Sequence, residues 1–368
     1  MLQPLLLGLG AASLALWLGV LLHPARPWTL RPVAEDERAP PESAAWPPVA
    51  VLVPARNEAA YLPRTLSALV AQDYPGRLAV VVVDDRSEDE TRRVAGVRGV
   101  EVVAGEPLPP GWVGKVWALE QGFRATPRDA TFVLVTDADI LHAPGSVRRL
   151  VAEAEAERLD LVSRMARLRT ASAAERFLVP PFLYFFNLLY PMPWATSGRR
   201  PAAAGGCVLL RREALLRAGG FEAIRGEVID DLNLARRLAG TGGRVQLALS
   251  RSDVVSRRAH DSVAGIWAMV ARTAYTELGR SPFRLAAALA TMAVMFPLPP
   301  LLVAAFAASA PAGALGLLAW LVMTGTFLPA VRFSGVRPAW ALTLPASGVL
   351  FAAMTLSSAR AHHRRARE

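Results

Sequence analysis

The sequence predicts an α/β domain on a mostly parallel central sheet, carried by transmembrane helices. Short β-branched runs alternate with helix-patterned stretches between residues 48 and 167. Two of those runs end in clustered carboxylates, Asp84-Asp85 and Asp137-Ala138-Asp139. Outside that region lie long stretches without a single charge. Hydrophobic residues make up 53% of the 368-residue chain and charged residues only 20%. That is apolar for a soluble protein and too charged for one lying wholly in lipid, so a mixed protein fits.

The runs Val49–Val53, Leu78–Asp84, Val100–Val103, Thr131–Thr136 and Leu159–Ser163 are continuous rather than alternating. Such runs suit strands buried on both faces of a parallel sheet. Between them, Glu58–Ala71, Asp89–Ala95, Lys115–Ala125 and Ser146–Glu157 carry helical patterns, the last entered just after Pro144. The order is βαβ. Sites in such sheets lie at the carboxyl ends of the strands.

Leu5–Leu22, Leu285–Val331 and Ala339–Ala359 are uncharged. A bilayer core takes about 20 apolar residues in a helix. The middle stretch therefore holds two spans with a turn near Ser309–Gly313. We expect an anchor at residues 1–23, a Pro-rich linker at 24–47, the α/β domain at 48–283, about three spans within 284–359, and a basic tail at 360–368. No basic residue precedes Leu5, which favours an uncleaved anchor over a secretory signal. Phe177–Trp194 is aromatic, uncharged and broken by Pro180, Pro181, Pro191 and Pro193. It reads as a segment in the membrane interface, at about 177–196, rather than a straight span; an internal core segment is the alternative.

The formal charge is 41 − 31 = +10. The cations are dispersed, several beside the spans (Arg26, Arg31, Arg332, Arg337, Arg364, Arg365), so they point to membrane flanks and not to nucleic acid. Arg26 and Arg31 place the central domain in the cytoplasm by the positive-inside rule. Three further crossings would then put the basic tail outside, which conflicts with that same rule. Cys207 is the single cysteine, so neither an intrachain disulfide nor a cysteine-based zinc site exists.

Acidic residues packed at the ends of buried strands are costly unless a cation or hydrogen-bond donors meet them. Asp137 and Asp139, at i and i+2 on an extended exit, can aim at one divalent ion and a ribose. All-oxygen ligands of this kind suit Mg2+ or Mn2+, completed by substrate phosphates and water. Asp230-Asp231 opens a helix over 229–239. It is either favourable N-terminal charge or a general base for an attacking alcohol. Lys115 and Arg272 are candidate diphosphate holders, and each alone equally suits a surface charge. Gly205-Gly206 allows close approach to a ligand or tight packing. His142, three residues after Asp139, could ligate a metal, but a supporting role behind the ligands or a structural one is the favoured reading.

In this order, Val53-Pro-Ala-Arg-Asn-Glu58, Gln72-Asp-Tyr-Pro75, Val83-Asp-Asp-Arg-Ser-Glu-Asp89, Asp137-Ala-Asp139 and Asp230-Asp231 resemble the inverting family 2 glycosyltransferases of the GT-A fold. Pro110–Ala118, Asp137–Ile140, Pro181–Phe186, Ala202–Cys207 and Met269–Tyr275 look like the bacterial hopene-associated members. The resemblance implies a nucleotide-sugar donor held by Pro54, Arg56, Glu58, Asp84 or Asp85, Lys115, Asp137 and Arg272. It implies a metal on Asp139 and Asp137, with Asp139 the direct ligand, and Asp231 as catalytic base beside Asp230. Polymerising members carry Gln-x-x-Arg-Trp where this chain has Met269-Val-Ala-Arg272-Thr273, which favours a single transfer. The acceptor expected is a membrane lipid, a hopanoid first, with no protein partner, at a bacterial cytoplasmic membrane. A polyprenyl-phosphate or ceramide-type sugar transferase and a non-catalytic scaffold are the rivals.

Overall fold

The computed structural model describes residues 2–30, 32–33 and 45–365. Most of the expected linker (34–44) and the last three residues of the basic tail lie outside the described residues. The elements are α1 (Leu2–Leu22), β1 (Val49–Ala55), α2 (Leu62–Val70), β2 (Leu78–Asp84), α3 (Thr91–Ala95), β3 (Val100–Ala104), α4 (Gly114–Ala125), β4 (Phe132–Thr136), β5 (Ile140–His142) and α5 (Ser146–Ala156). They continue with β6 (Leu161–Met165), α6 (Ala173–Leu189), α7 (Met192–Thr196), β7 (Cys207–Arg211), α8 (Arg212–Arg217), α9 (Asp230–Gly240), β8 (Val245–Leu249) and β9 (Val254–Ser256). The last are α10 (Val263–Ala271), α11 (Ala274–Glu277), α12 (Pro282–Met295), α13 (Leu298–Ala304), α14 (Ala310–Phe333) and α15 (Leu344–Arg365). The chain forms two units, one of residues 31–169 and 192–258, the other of 1–30, 170–191 and 259–368.

The first unit holds a seven-stranded sheet in the order β3-β2-β1-β4-β7-β6-β8. Only β7 runs against its neighbours β4 and β6; the other pairings are parallel. The expected mostly parallel sheet is what forms. On one face Val49, Val51 and Val53 pack with Leu62, Leu66, Val147 and Leu150 of α2 and α5. On the other Leu52, Val81 and Val83 pack with Val116, Leu119, Leu215 and Leu234 of α4, α8 and α9. Burial on both faces explains why β1, β2 and β4 read as unbroken apolar runs. Cys207–Arg211 has four buried apolar residues as well, but a run this short does not by itself distinguish a strand from a helix, so the sequence alone does not assign it. The run expected at Leu159–Ser163 begins at Leu161 and extends to Met165.

The second unit contains four stretches long and apolar enough to cross a membrane: Gln3–Leu22, Pro282–Ala304, Ala310–Phe333 and Pro338–Arg364. The second is interrupted between α12 and α13 at Phe296-Pro297. The break expected at Ser309–Gly313 falls earlier. Ser309 is the N-cap of α14 and Pro311 lies in its first turn, so Gly313 is already helical, as proline at a helix start permits.

The broken segment expected at Phe177–Trp194 is a continuous helix as far as Leu189, running through Pro180 and Pro181. Ser172 and Glu175 close a capping box at its start. Proline removes two helical donors, but tertiary packing outweighs that loss. Leu178, Val179, Leu183 and Tyr184 are buried, and the Tyr184 hydroxyl donates to Thr326 Oγ1 at 2.9 Å. The sequence boundary at 283 and the unit boundary at 258 differ because Ile266 and Val270 of α10 pack with Leu178, Phe351 and Met354.

Gly122 marks the tightest helix-on-sheet contact, in α4. A Cβ there would overlap Leu52 Cδ1 and come 2.6 Å from Val83 Cγ2. Gly122→Ala is expected to cost about 1–3 kcal/mol of stability through overpacking, read as a lower denaturant midpoint with an unchanged slope.

Candidate active site

Because β1, β2 and β4 are parallel and in register, their carboxyl ends present Ala55, Asp84 and Thr136 along one edge. Thr136 anchors that edge. Its hydroxyl donates to the Gly206 carbonyl at 2.9 Å, so its oxygen accepts from His142 Nε2, also at 2.9 Å. His142 Nδ1 is then the bare nitrogen and faces Ser146 Oγ at 3.1 Å. Burial pushes the imidazole pKa down to about 4. Both ring nitrogens have polar neighbours in a buried, neutral ring, an arrangement that suits the supporting or structural role favoured over a metal ligand.

The chain does not leave β4 extended, as the sequence implied. It turns, with Ile140 N–H bonded to Asp137 O at 3.1 Å, because Ile140 must start β5 and pair with Ser256 of β9. Thr65 of α2 donates to Ala138 O at 2.8 Å and holds the turn from below. The turn sends the two aspartates to different partners.

Asp137 Oδ1 meets Lys115 Nζ at 3.0 Å, and the same ammonium lies 3.3 Å from Asp230 Oδ2. Lys115 is in the first turn of α4, whose entry is fixed by Val113 N–H on Arg225 O at 2.7 Å. Burial by itself disfavours the Lys115 charge, but Asp137, Asp230 and Asp231 reverse that and hold its pKa well above the ordinary value. Asp137 is pushed up by burial and by Asp139 and Asp230, against the pull of Lys115.

Asp231 stands beside Asp230 in the first turn of α9. Its Oδ2 accepts from Gly205 N–H at 2.6 Å and its Oδ1 from Leu232 N–H at 2.8 Å. Burial and the neighbouring Asp230 raise its pKa to about 7, against Lys115 and these two amides. A Cβ on Gly205 would sit 3.2 Å from Asp231 Oδ2 and 3.3 Å from Lys115 Nζ, so the glycine serves close packing against the carboxylate.

Asp139 has its own partners. Ser256 Oγ donates to its Oδ2 at 2.6 Å, and Arg258 lies 3.5 Å from its Oδ1. Arg258 also pairs with Glu58 Oε1 and stacks over the Tyr61 ring. Glu58 is raised by burial, with Arg258 opposing. Its Oε2 is buried without a hydrogen-bond partner. Further along the edge Arg56 lies 3.9 Å from Asp85. Burial raises the Asp85 pKa, with Arg56 opposing. Asp84, Ser87, Asp89 and Gly105 line a cavity of about 580 Å³. Pro54 is the next-to-last residue of β1. Arg272 belongs to the other unit, where it caps the end of α10.

Among the described residues no group of three or more His, Cys, Asp or Glu side chains forms a complete metal site. The donor chemistry nonetheless fits Mg2+ or Mn2+. Asp137 and Asp139 are hard oxygen ligands that, despite the turn, stay near enough to act on each other and on Glu58, and such ions keep waters and take one or two carboxylates plus phosphates. Sequence reasoning missed Ser256 and Arg258. Their only signal was a basic pair after the short apolar run Val254-Val255, which charge alone does not distinguish from solvated surface.

A family model described as "Glycosyltransferase like family 2" matches residues 47–276. The chain belongs to this family. An N-acetylglucosaminyltransferase of Mesorhizobium japonicum is 32% identical over 203 residues, which cover 52% of the family 2 chain and 45% of that protein. A 4,4'-diaponeurosporenoate glycosyltransferase of Staphylococcus haemolyticus is 34% identical over 94 residues, 25% of this chain and 24% of that one. The chain thus spans less than half the length of these curated relatives. A mannosyltransferase from Pyrobaculum calidifontis, solved in complex with GDP-Man and Mn2+, superposes with a TM-score of 0.58 at 23% identity, over 94% of this chain and 99% of that one. That likeness is one of fold, and with the sheet order it establishes the expected GT-A architecture.

The raised Asp231 pKa has a consequence for stability. The folded state binds the proton more tightly than the unfolded chain, so ionising Asp231 works against folding as pH rises from about 4, its unfolded value, to about 7. Asp231→Asn is therefore expected to melt at a higher temperature than the native protein at pH 8, with the gap closing as pH falls from 7 to 4. Scanning calorimetry at a series of pH values checks it.

Proposed function

We propose that this chain is a membrane-anchored inverting glycosyltransferase that moves one sugar from a nucleotide-sugar donor, UDP-linked by its resemblance, to a membrane lipid. The observation that carries the reading is Asp231. A buried carboxylate whose pKa is raised to about 7 lies in one charge cluster with Lys115, Asp230 and Asp137. A base poised near neutrality suits proton abstraction from an alcohol. Membership of the glycosyltransferase family supports the reaction class.

In this reading the nucleoside lies along Pro54, Arg56, Glu58, Asp84 and Asp85. The orphaned Oε2 of Glu58 accepts a donor hydroxyl there, since a buried oxygen without a partner is costly. Asp137 and Asp139 would hold a divalent cation, which when bound supplies charge neutralisation on the diphosphate. Lys115 adds a second positive charge at the same place. Asp231 takes the proton of the acceptor hydroxyl as its oxygen bonds to the sugar C1. The C1–phosphate bond breaks on the opposite face, and the nucleoside diphosphate leaves with the electron pair. Asp230 keeps the Lys115 ammonium beside the base.

The four apolar stretches support residence in a bacterial cytoplasmic membrane, with the α/β unit on the cytoplasmic side and a lipid as acceptor. The hopanoid resemblance makes a hopanoid alcohol the first acceptor to test. Lipid mass spectrometry of a deletion strain separates it from a polyprenyl phosphate or a ceramide.

Asp231→Asn should lower transfer by about 10²- to 10⁴-fold, the range for a lost general base, with donor affinity little changed. Transfer at the native rate would sink the assignment. For the native enzyme kcat/KM should rise with pH to a plateau above about 7, because only the ionised carboxylate takes the proton; a profile flat from pH 5 to 8 contradicts it. Chelation by EDTA should abolish transfer, and Mg2+ or Mn2+ should restore it.

A further inference from the structure

The apolar unit contains a contradiction between composition and direction. α13 and α14 run antiparallel, Gly313 against Phe306 and Gly316 against Leu302 and Pro299. α1 is antiparallel to α12 and α13: the Trp17 indole donates to Met295 O at 2.9 Å, and Gly10 lies against Leu302. If Pro282–Ala304 crosses a bilayer and Ala310–Phe333 returns, a third crossing by α15 would run parallel to α12. It would end about 30 Å from the start of α12.

α15 does the opposite. Gly348 lies against Phe296 and Phe351 clusters with Met292. Ser358 Oγ accepts from Tyr275 N–H at 3.0 Å, and the Tyr275 ring lies 5.6 Å from both His362 and His363. As residue numbers rise along α15, those of its neighbours fall. Its end meets a residue that precedes α12.

We infer that α15 does not cross the membrane but returns to the side on which α12 begins, where its cations join those around Tyr275 in a surface for anionic lipid headgroups. This rests on the proposed reading of α1, α12–α13 and α14 as membrane-crossing. On that side lie Arg26 after α1, Arg280 and Arg284 before and within α12, Arg332 at the end of α14, and Arg360 and Arg364 on α15. The segment between α13 and α14, Ala305–Ser309, has no charge. The positive-inside rule is then met throughout, and the conflict over the basic tail disappears. Arg280, Arg284, Arg360 and Arg364 are exposed, and among the described residues no carboxylate is paired with them. Phe283 is 86% exposed between two of them, and an aromatic beside unpaired arginines suits the headgroup level, where cations meet lipid phosphates.

Cys207 is buried, so single cysteines can be placed and read with a membrane-impermeant maleimide. In oriented membrane vesicles, Ser281→Cys and His363→Cys should label from one face and Ala308→Cys from the other. His363→Cys labelling with Ala308→Cys overturns the inference. Ser281→Cys and Ala308→Cys on one face would instead overturn the crossing reading beneath it. In detergent micelles, phosphatidylglycerol should raise the melting temperature of the native protein more than phosphatidylcholine does, in a salt-sensitive way. Combining Arg280→Gln, Arg284→Gln, Arg360→Gln and Arg364→Gln should remove at least half of that shift. An equal shift in the variant, or none in the native protein, refutes the headgroup surface.

Discussion

Lys115 places a single ammonium 3.0 Å from Asp137 and 3.3 Å from Asp230, and the carboxylate edge of the sheet is arranged around that contact. Carboxylates drawn this close repel one another and lose water, so an uncompensated cluster would not persist. The cation reaches it only because α4 begins at Gly114, one residue before Lys115. Asp231 can approach only because Gly205 has no side chain to occupy the gap. One lysine therefore ties α4, the end of β4 and the start of α9 into a single electrostatic unit.

Within that unit neighbouring carboxylates acquire different characters from their surroundings. Asp231 accepts two amide hydrogens and still sits near neutrality, because burial and Asp230 outweigh the donors. Asp139, only two residues from Asp137, is turned toward Ser256 and Arg258. The turn that separates the two aspartates is held by uncharged groups, Thr65 and the neutral His142–Thr136 pair. A neutral anchor leaves the charge balance of the edge to the carboxylates and Lys115.

The apolar unit shows how little composition says about direction. Pro338–Arg364 is as eligible to cross a membrane as the other three stretches, yet its contacts run antiparallel to α12. In α6 the two prolines that argued for a broken segment lie in an unbroken helix. Propensity is a local preference, and packing of Leu178, Leu183 and Tyr184 supplies what the missing N–H groups withhold.

Much of the fold was legible because its signals are local. Strands buried on both faces need continuous apolar runs, so β1, β2 and β4 announced themselves, and the carboxylates at the ends of β2 and β4 could be located at once. The Asp230-Asp231 pair was visible as the opening of α9. What the chain alone could not convey depends on contacts distant in sequence. The antiparallel insertion of β7, the pairing of Arg258 with Glu58 200 residues away, and the orientation of α15 each arise when segments meet that share no local pattern. Residue types and their spacing determined which chemistry this protein can hold; only the tertiary structure decided which carboxylate meets Lys115 and which meets Arg258, because a turn of three residues, set by the pairing of β5 with β9, gives them different partners.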